Sequence, residues 1–132
     1  MFIVKSVMTS ADVSSLFVSA LEGGYSPWLE DIELVQVPSK FDVKNRTIWY
    51  GQEDFFGHDG YKLKAKFDRE QDEESTFKGR KTITKASIQK GLSVMARDYP
   101  RHFSDALDEA RNDAITADVF IQCVIFGKVI FG

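Results

Sequence analysis

Apolar positions recur along this chain with two different periods, and the switches between them divide it into helix, sheet and helix again. Val13, Leu16, Phe17, Ala20 and Leu21 fall at i, i+3, i+4, i+7 and i+8, the apolar face of a helix. Thr9 and Ser10 stand where its N-cap belongs, and Asp12 lies in the first turn, where the helix dipole favours an anion. Gly23-Gly24 ends it, glycine being the residue a left-handed C-terminal cap accepts most readily. Ahead of this helix, residues 2–7 (Phe-Ile-Val-Lys-Ser-Val) read as a short strand.

The period then shortens to two. Ile32, Leu34, Val35 and Val37 predict a strand stopped by Pro38, and Thr47-Ile-Trp-Tyr predicts another. Tyr61, Leu63, Ala65 and Phe67 alternate with Lys62, Lys64 and Lys66, a half-buried strand with a lysine-lined outer face. Asp68-Arg-Glu-Gln-Asp-Glu-Glu reads as a solvated acidic hairpin loop, and residues 76–84 as the returning strand. A meander of strands fits residues 31–84.

Helical spacing returns with Ile88, Leu92, Met95, Ala96 and Tyr99 on one face, interrupted at Pro100. Phe103, Ala106, Leu107 and Ala110 mark a second helix. Asp113 or Thr116 caps a third, apolar on most sides from Val119 to Phe126, and Val129-Ile-Phe reads as a last short strand. The expected fold is α+β: an antiparallel sheet, the central meander, packed with an N-terminal helix and two or three C-terminal helices. Residues 1–132 are read as one domain, with no internal repeat and no low-complexity linker.

Composition narrows the function classes. The formal net charge is −3, so no overall basic field draws the chain to nucleic acid or anionic lipid. The one cysteine, Cys123, lies in an apolar run, so neither an internal disulfide nor a zinc spacing is available. The first residues are not read as a signal peptide, and the longest apolar run is far too short to cross a bilayer. A cytoplasmic location is expected. Aromatics are abundant at 13%, with Phe in excess. Such residues serve cores and interfaces.

Three places can carry chemistry. The turn Gly23-Gly24-Tyr25-Ser26-Pro27-Trp28 joins close backbone approach to two flat stacking surfaces, or merely stops a helix and covers the core. Trp49 and Tyr50, with Phe55, Phe56 and His58, form a second aromatic group that can stack a base or fill a core. The third place holds Arg101 and His102 with Asp105, Arg111, Asn112, Asp113, Thr116, Asp118 and Gln122. Arg101 and Arg111 suit bidentate phosphate contacts, and Asn112 and Gln122 carry paired donors and acceptors. Asp113, Thr116 and Asp118 equally suit a helix N-terminus. Gln122, inside an otherwise apolar helix, needs hydrogen-bond partners wherever it lies. A metal site would need more ligands than His58 and His102 supply, and no metal or cofactor is expected. No Gly-x-Ser-x-Gly elbow is present, and the apolar setting of Cys123 disfavours its thiolate.

Several of these segments together form a pattern: Ala20-Leu-Glu-Gly-Gly with Trp28, Tyr99-Pro-Arg-His-Phe-Ser-Asp, Asp113 with Thr116-Ala-Asp-Val-Phe-Ile-Gln, and Phe126-Gly with Phe131-Gly. In order and content they resemble a widespread group of small, uncharacterised phage and prophage proteins. The resemblance covers roughly residues 15–37 and 85–132, and it assigns no catalytic residue. It implies a phage-type accessory protein acting in the host cytoplasm against host defence.

The resulting expectation is a non-enzymatic binding protein that sequesters a nucleotide-like immune signal, in a pocket that a homo-oligomer interface could complete. Tyr25, Trp28 and Trp49 would stack the base, Arg101 and Arg111 would hold phosphate, and Asn112 and Gln122 would read polar edges. The alternatives are an inhibitor that docks on a host defence protein, through the acidic run 68–74 and exposed aromatics, and a small hydrolase of a nucleotide signal using His58 or His102.

Overall fold

The computed structural model describes residues 8–72, 75–108 and 111–132, with side chains described outside 69–77. The strand expected over residues 2–7 lies outside them. The first helix, α1, spans Ser10–Glu22. Thr9 and Asp12 close a reciprocal capping box at its start. At its end Gly23 remains right-handed, and Gly24 takes the left-handed turn (φ 72°) that redirects the chain.

Strands β1 (Leu29–Gln36), β2 (Lys62–Asp72) and β3 (Ser75–Ile83) form an antiparallel sheet in the order β1-β2-β3. This is the expected meander, and the fold is α+β. The register separates its faces. Ile32 pairs with Ala65, and Leu63 with Leu34 and Ile83, which places these apolar residues on the core side. Glu33 pairs with Lys64, Lys66 with Asp31 and Arg80, and Asp68 with Lys78, giving an outer face of charges. The β2–β3 ladder also runs through most of the acidic segment read as a loop, as far as Asp72 opposite Ser75. Backbone pairing with β3, including Glu70 opposite Thr76, outweighs its polar composition.

Two expected strands are absent from the described residues. Thr47–Tyr50 leads into a 3₁₀ turn at Trp49–Gly51, followed by another at Phe55–Gly57. These turns swing Trp49 and Phe56 inward onto Phe17 of α1, with ring centroids of Phe17 and Phe56 at 4.6 Å, and bury Phe55 against Trp49. Burial of three aromatic rings decides the local backbone here, over the strand propensity of Thr, Ile and Trp. Val129–Phe131 joins no ladder, and side chains take its backbone N–H groups.

The C-terminal part contains α2 (Lys85–Asp98), α3 (Pro100–Ala106) and α4 (Ala114–Phe126). Pro100 sits in the first turn of α3, where its missing N–H has no partner to lose. Asp113, rather than Thr116, caps α4 by accepting from the Thr116 N–H at 2.9 Å. Every residue of α4 from Thr116 to Ile125 is buried, so this helix runs through the middle of the core. It packs on α1 and α2, and Gly91 of α2 permits the closest approach. A Cβ there would lie 2.7 Å from Val124 Cα. Among the described residues no helix is long and apolar enough to cross a membrane.

Candidate functional site

α4 is apolar except for Thr116, Asp118 and Gln122, and the last two lie one turn apart on one face. Both are buried: Gln122 is 0% and Asp118 7% exposed. Gln122 Nε2 donates to Asp118 Oδ2 at 2.8 Å and to the Phe131 carbonyl at 2.9 Å. Its Oε1 accepts from the Ile130 and Phe131 N–H groups at 2.8 and 2.9 Å. The Gln122 amide therefore does for the C-terminal segment what a neighbouring strand would do. Tyr99 Oη accepts from the Val129 N–H at 3.0 Å and fixes the start of the same segment.

The other oxygen of Asp118 faces the N-terminal turn. Oδ1 accepts from Ser26 Oγ at 2.7 Å and from Trp28 Nε1 at 2.8 Å. Asp118 thus joins the turn after α1 to α4, and Gln122 joins α4 to the C-terminal segment. Trp28 is 1% exposed, stacks on Phe131 with centroids 5.6 Å apart and touches Phe126. Beside this network lies a cavity of about 330 Å³ lined by Gly24, Tyr25, Pro27, Trp28, Asp118 and Phe131. Tyr25, one of its lining residues, is 47% exposed.

Arg101 and Arg111 line a different concavity, about 640 Å³, together with Ser104, Asp105 and Asp113. Arg101 projects from α3, and Arg111 from a turn closed by its N–H donating to the Asp108 carbonyl at 3.0 Å. Arg111 Nε lies 3.7 Å from Asp108 Oδ2, a loose contact that leaves the guanidinium largely in water. Both arginines are exposed. Asn112 turns instead towards α1, where its Nδ2 is 3.5 Å from Ser15 Oγ.

The residues singled out from the sequence thus divide among separate settings. Tyr25 and Trp28 share a cavity with Asp118, which Gln122 supports from behind. Arg101 and Arg111 share another. Trp49 is buried among Phe17, Tyr50, Phe55 and Phe56 and lines neither, and Asn112 lines neither. Sequence reasoning passed over Asp118 as an ordinary first-turn acid. The available signal was its spacing to Gln122: two polar residues at i and i+4 in an apolar helix are each other's nearest partners.

The two histidines line neither of these concavities. His102 Nδ1 lies 3.2 Å from Thr116 Oγ1, and His58 packs on Phe41 at 4.5 Å between centroids. Burial, then the charge of Asp98, pushes the Cys123 thiol up to about 11, which keeps it unreactive. A concavity of about 450 Å³ between α1 and α2 is mainly apolar. Its Lys85 is engaged with the Gly57 carbonyl at 2.9 Å and Asp59 at 3.1 Å.

Compared with protein-family models, curated proteins and solved structures, the chain matches none.

Proposed function

We propose that this chain is a small non-enzymatic binding protein of phage type, counteracting host defence by sequestering a nucleotide-like immune signal that it holds by its phosphate. One observation supports the reading above others: Arg101 and Arg111 converge on a single concavity that also contains the Ser104 hydroxyl. Two guanidinium forks and a hydroxyl form a donor set suited to a phosphate group. Asp105 and Asp113 on the same wall favour ligands that also present donors, such as a sugar or a base edge. The burial of Trp28 and Trp49 removes them as base-stacking surfaces, so phosphate contacts carry the affinity in this proposal. The phage and anti-defence parts rest on the resemblance of the quoted motifs.

Calorimetry against a panel of linear and cyclic nucleotides tests it. Saturable heat that weakens with added salt supports phosphate capture. A folded protein that gives no heat with any member refutes the sequestering role.

A second reading, a blocker of a host protein, is favoured by the sheet's outer face. Among the described residues Lys62, Lys64, Lys66, Lys78 and Arg80 outnumber Asp31, Glu33 and Asp68 there, though Lys66 pairs with Glu33 and Lys78 with Asp68, on a protein that is acidic overall. Such a face would dock on an acidic surface. A pull-down from host lysate separates the two: one stoichiometric protein partner supports blockade, and a co-purifying small molecule with nucleotide absorbance supports sequestration.

A further inference from the structure

We propose that the cavity beside Asp118 is a second binding site, which takes a small flat organic cation such as an amidinium or guanidinium group on a planar body. Asp118 is the one buried Asp, Glu, Lys, Arg or His among the described residues. Its three partners, the Ser26 hydroxyl, the Trp28 indole and the Gln122 amide, are all neutral donors. No cation of the described residues pairs with it. A carboxylate offers about four acceptor positions, so one remains. Neutral donors orient a buried carboxylate but leave its charge uncompensated, and a cation in contact with it offsets that desolvation.

The cavity that Asp118 lines supplies the space. At about 330 Å³ it lies at the small end of ligand pockets, room for one planar group. Its other walls match a flat cation. Tyr25 lines the cavity and is about half exposed, and a tyrosine ring is a surface that a cation approaches face-on. Gly24 puts no side chain in the way, and a Cβ there would meet nothing within 4 Å. An anionic ligand is repelled by the same carboxylate. This site therefore differs in chemistry from the arginine concavity and does not depend on the phosphate reading.

The probe is benzamidine, with neutral benzamide as its isosteric control. The readout is the indole N–H signal of Trp28 in nitrogen-correlated proton NMR, distinguished from Trp49 with a Trp49→Phe variant. Benzamidine should shift the Trp28 signal saturably, and benzamide should not. Tyr25→Ala, at an exposed position, should weaken benzamidine about two- to five-fold through the lost cation–π contact. Asp118→Asn should abolish the response. If that variant does not fold, the two probes on the unaltered protein decide the question. An unmoved Trp28 signal, an equal response to benzamide or an unchanged affinity in Tyr25→Ala overturns the assignment.

Discussion

Gln122 Nε2 stands 2.8 Å from Asp118 Oδ2, one helical turn away, and this contact joins the two halves of a buried polar network. On one side Gln122 holds the backbone of Ile130 and Phe131, and on the other Asp118 holds Ser26 and Trp28. The turn between α1 and β1 and the C-terminal segment are thereby both tied to α4 through side chains rather than through a sheet.

Gln122→Leu keeps the volume and removes the four bonds that Gln122 makes, to Asp118, to the Phe131 carbonyl and to the Ile130 and Phe131 N–H groups. It strands the N–H groups of Ile130 and Phe131 and takes a donor from Asp118. A buried polar group left unpaired costs about 1–3 kcal/mol, so a loss of roughly 3 kcal/mol is expected. Urea unfolding should show a lower midpoint at unchanged slope. A change below about 1 kcal/mol would mean that water replaces the lost bonds.

Gly91→Ala sets two effects against each other. Alanine in a helix interior is favoured over glycine by about 1 kcal/mol. The added Cβ would lie 2.7 Å from Val124 Cα and 2.9 Å from Val124 N, backbone atoms that cannot rotate away. Overpacking of this kind costs about 1–3 kcal/mol, and α2 and α4 must separate to relieve it. Net destabilisation is expected, visible as a lower thermal midpoint. A stabilised variant would show that the two helices part at little cost.

Stability should fall in alkali. Burial raises the folded-state Cys123 thiol from 9.0 to about 11. Burial, with the charge of Asp59, also raises the Tyr61 phenol above its usual range. For a group whose folded value is raised, the stabilising contribution is complete below the unfolded value and is lost as pH rises through the folded one. The loss attributable to Cys123 therefore spans pH 9 to about 11, and that of Tyr61 begins above about 10. Urea unfolding across this range checks it, and Cys123→Ala should flatten the lower part. A midpoint independent of pH there would contradict the burial of both groups.

Much of the architecture was legible in the chain because local signals and tertiary packing agree. The spacing of Val13, Leu16, Phe17 and Ala20 specifies α1, and the Lys/apolar alternation of residues 61–67 specifies β2. The misreadings turn on partners that the local pattern does not announce. Trp49 resembles a strand residue until Phe17 and Phe56 draw it into the core. Val129–Phe131 resembles a strand, yet its partners are the Gln122 and Tyr99 side chains. The site was legible in type but not in grouping. The sequence marks Tyr25, Trp28, Arg101, Arg111 and Gln122 as polar or flat groups worth placing. Only the path of α4 assigns the first two to Asp118 and the arginines to another surface.

The central claim, capture of a phosphate-bearing ligand between Arg101 and Arg111, is tested most directly by side-by-side calorimetry. The nucleotide giving the strongest heat with the unaltered protein is titrated into Arg101→Ala and Arg111→Ala. Both residues are exposed, so the variants should fold normally. Loss of one charge-assisted contact of about 1.5–3 kcal/mol predicts roughly ten- to hundred-fold weaker binding in each. Unchanged affinity in both variants would contradict the account.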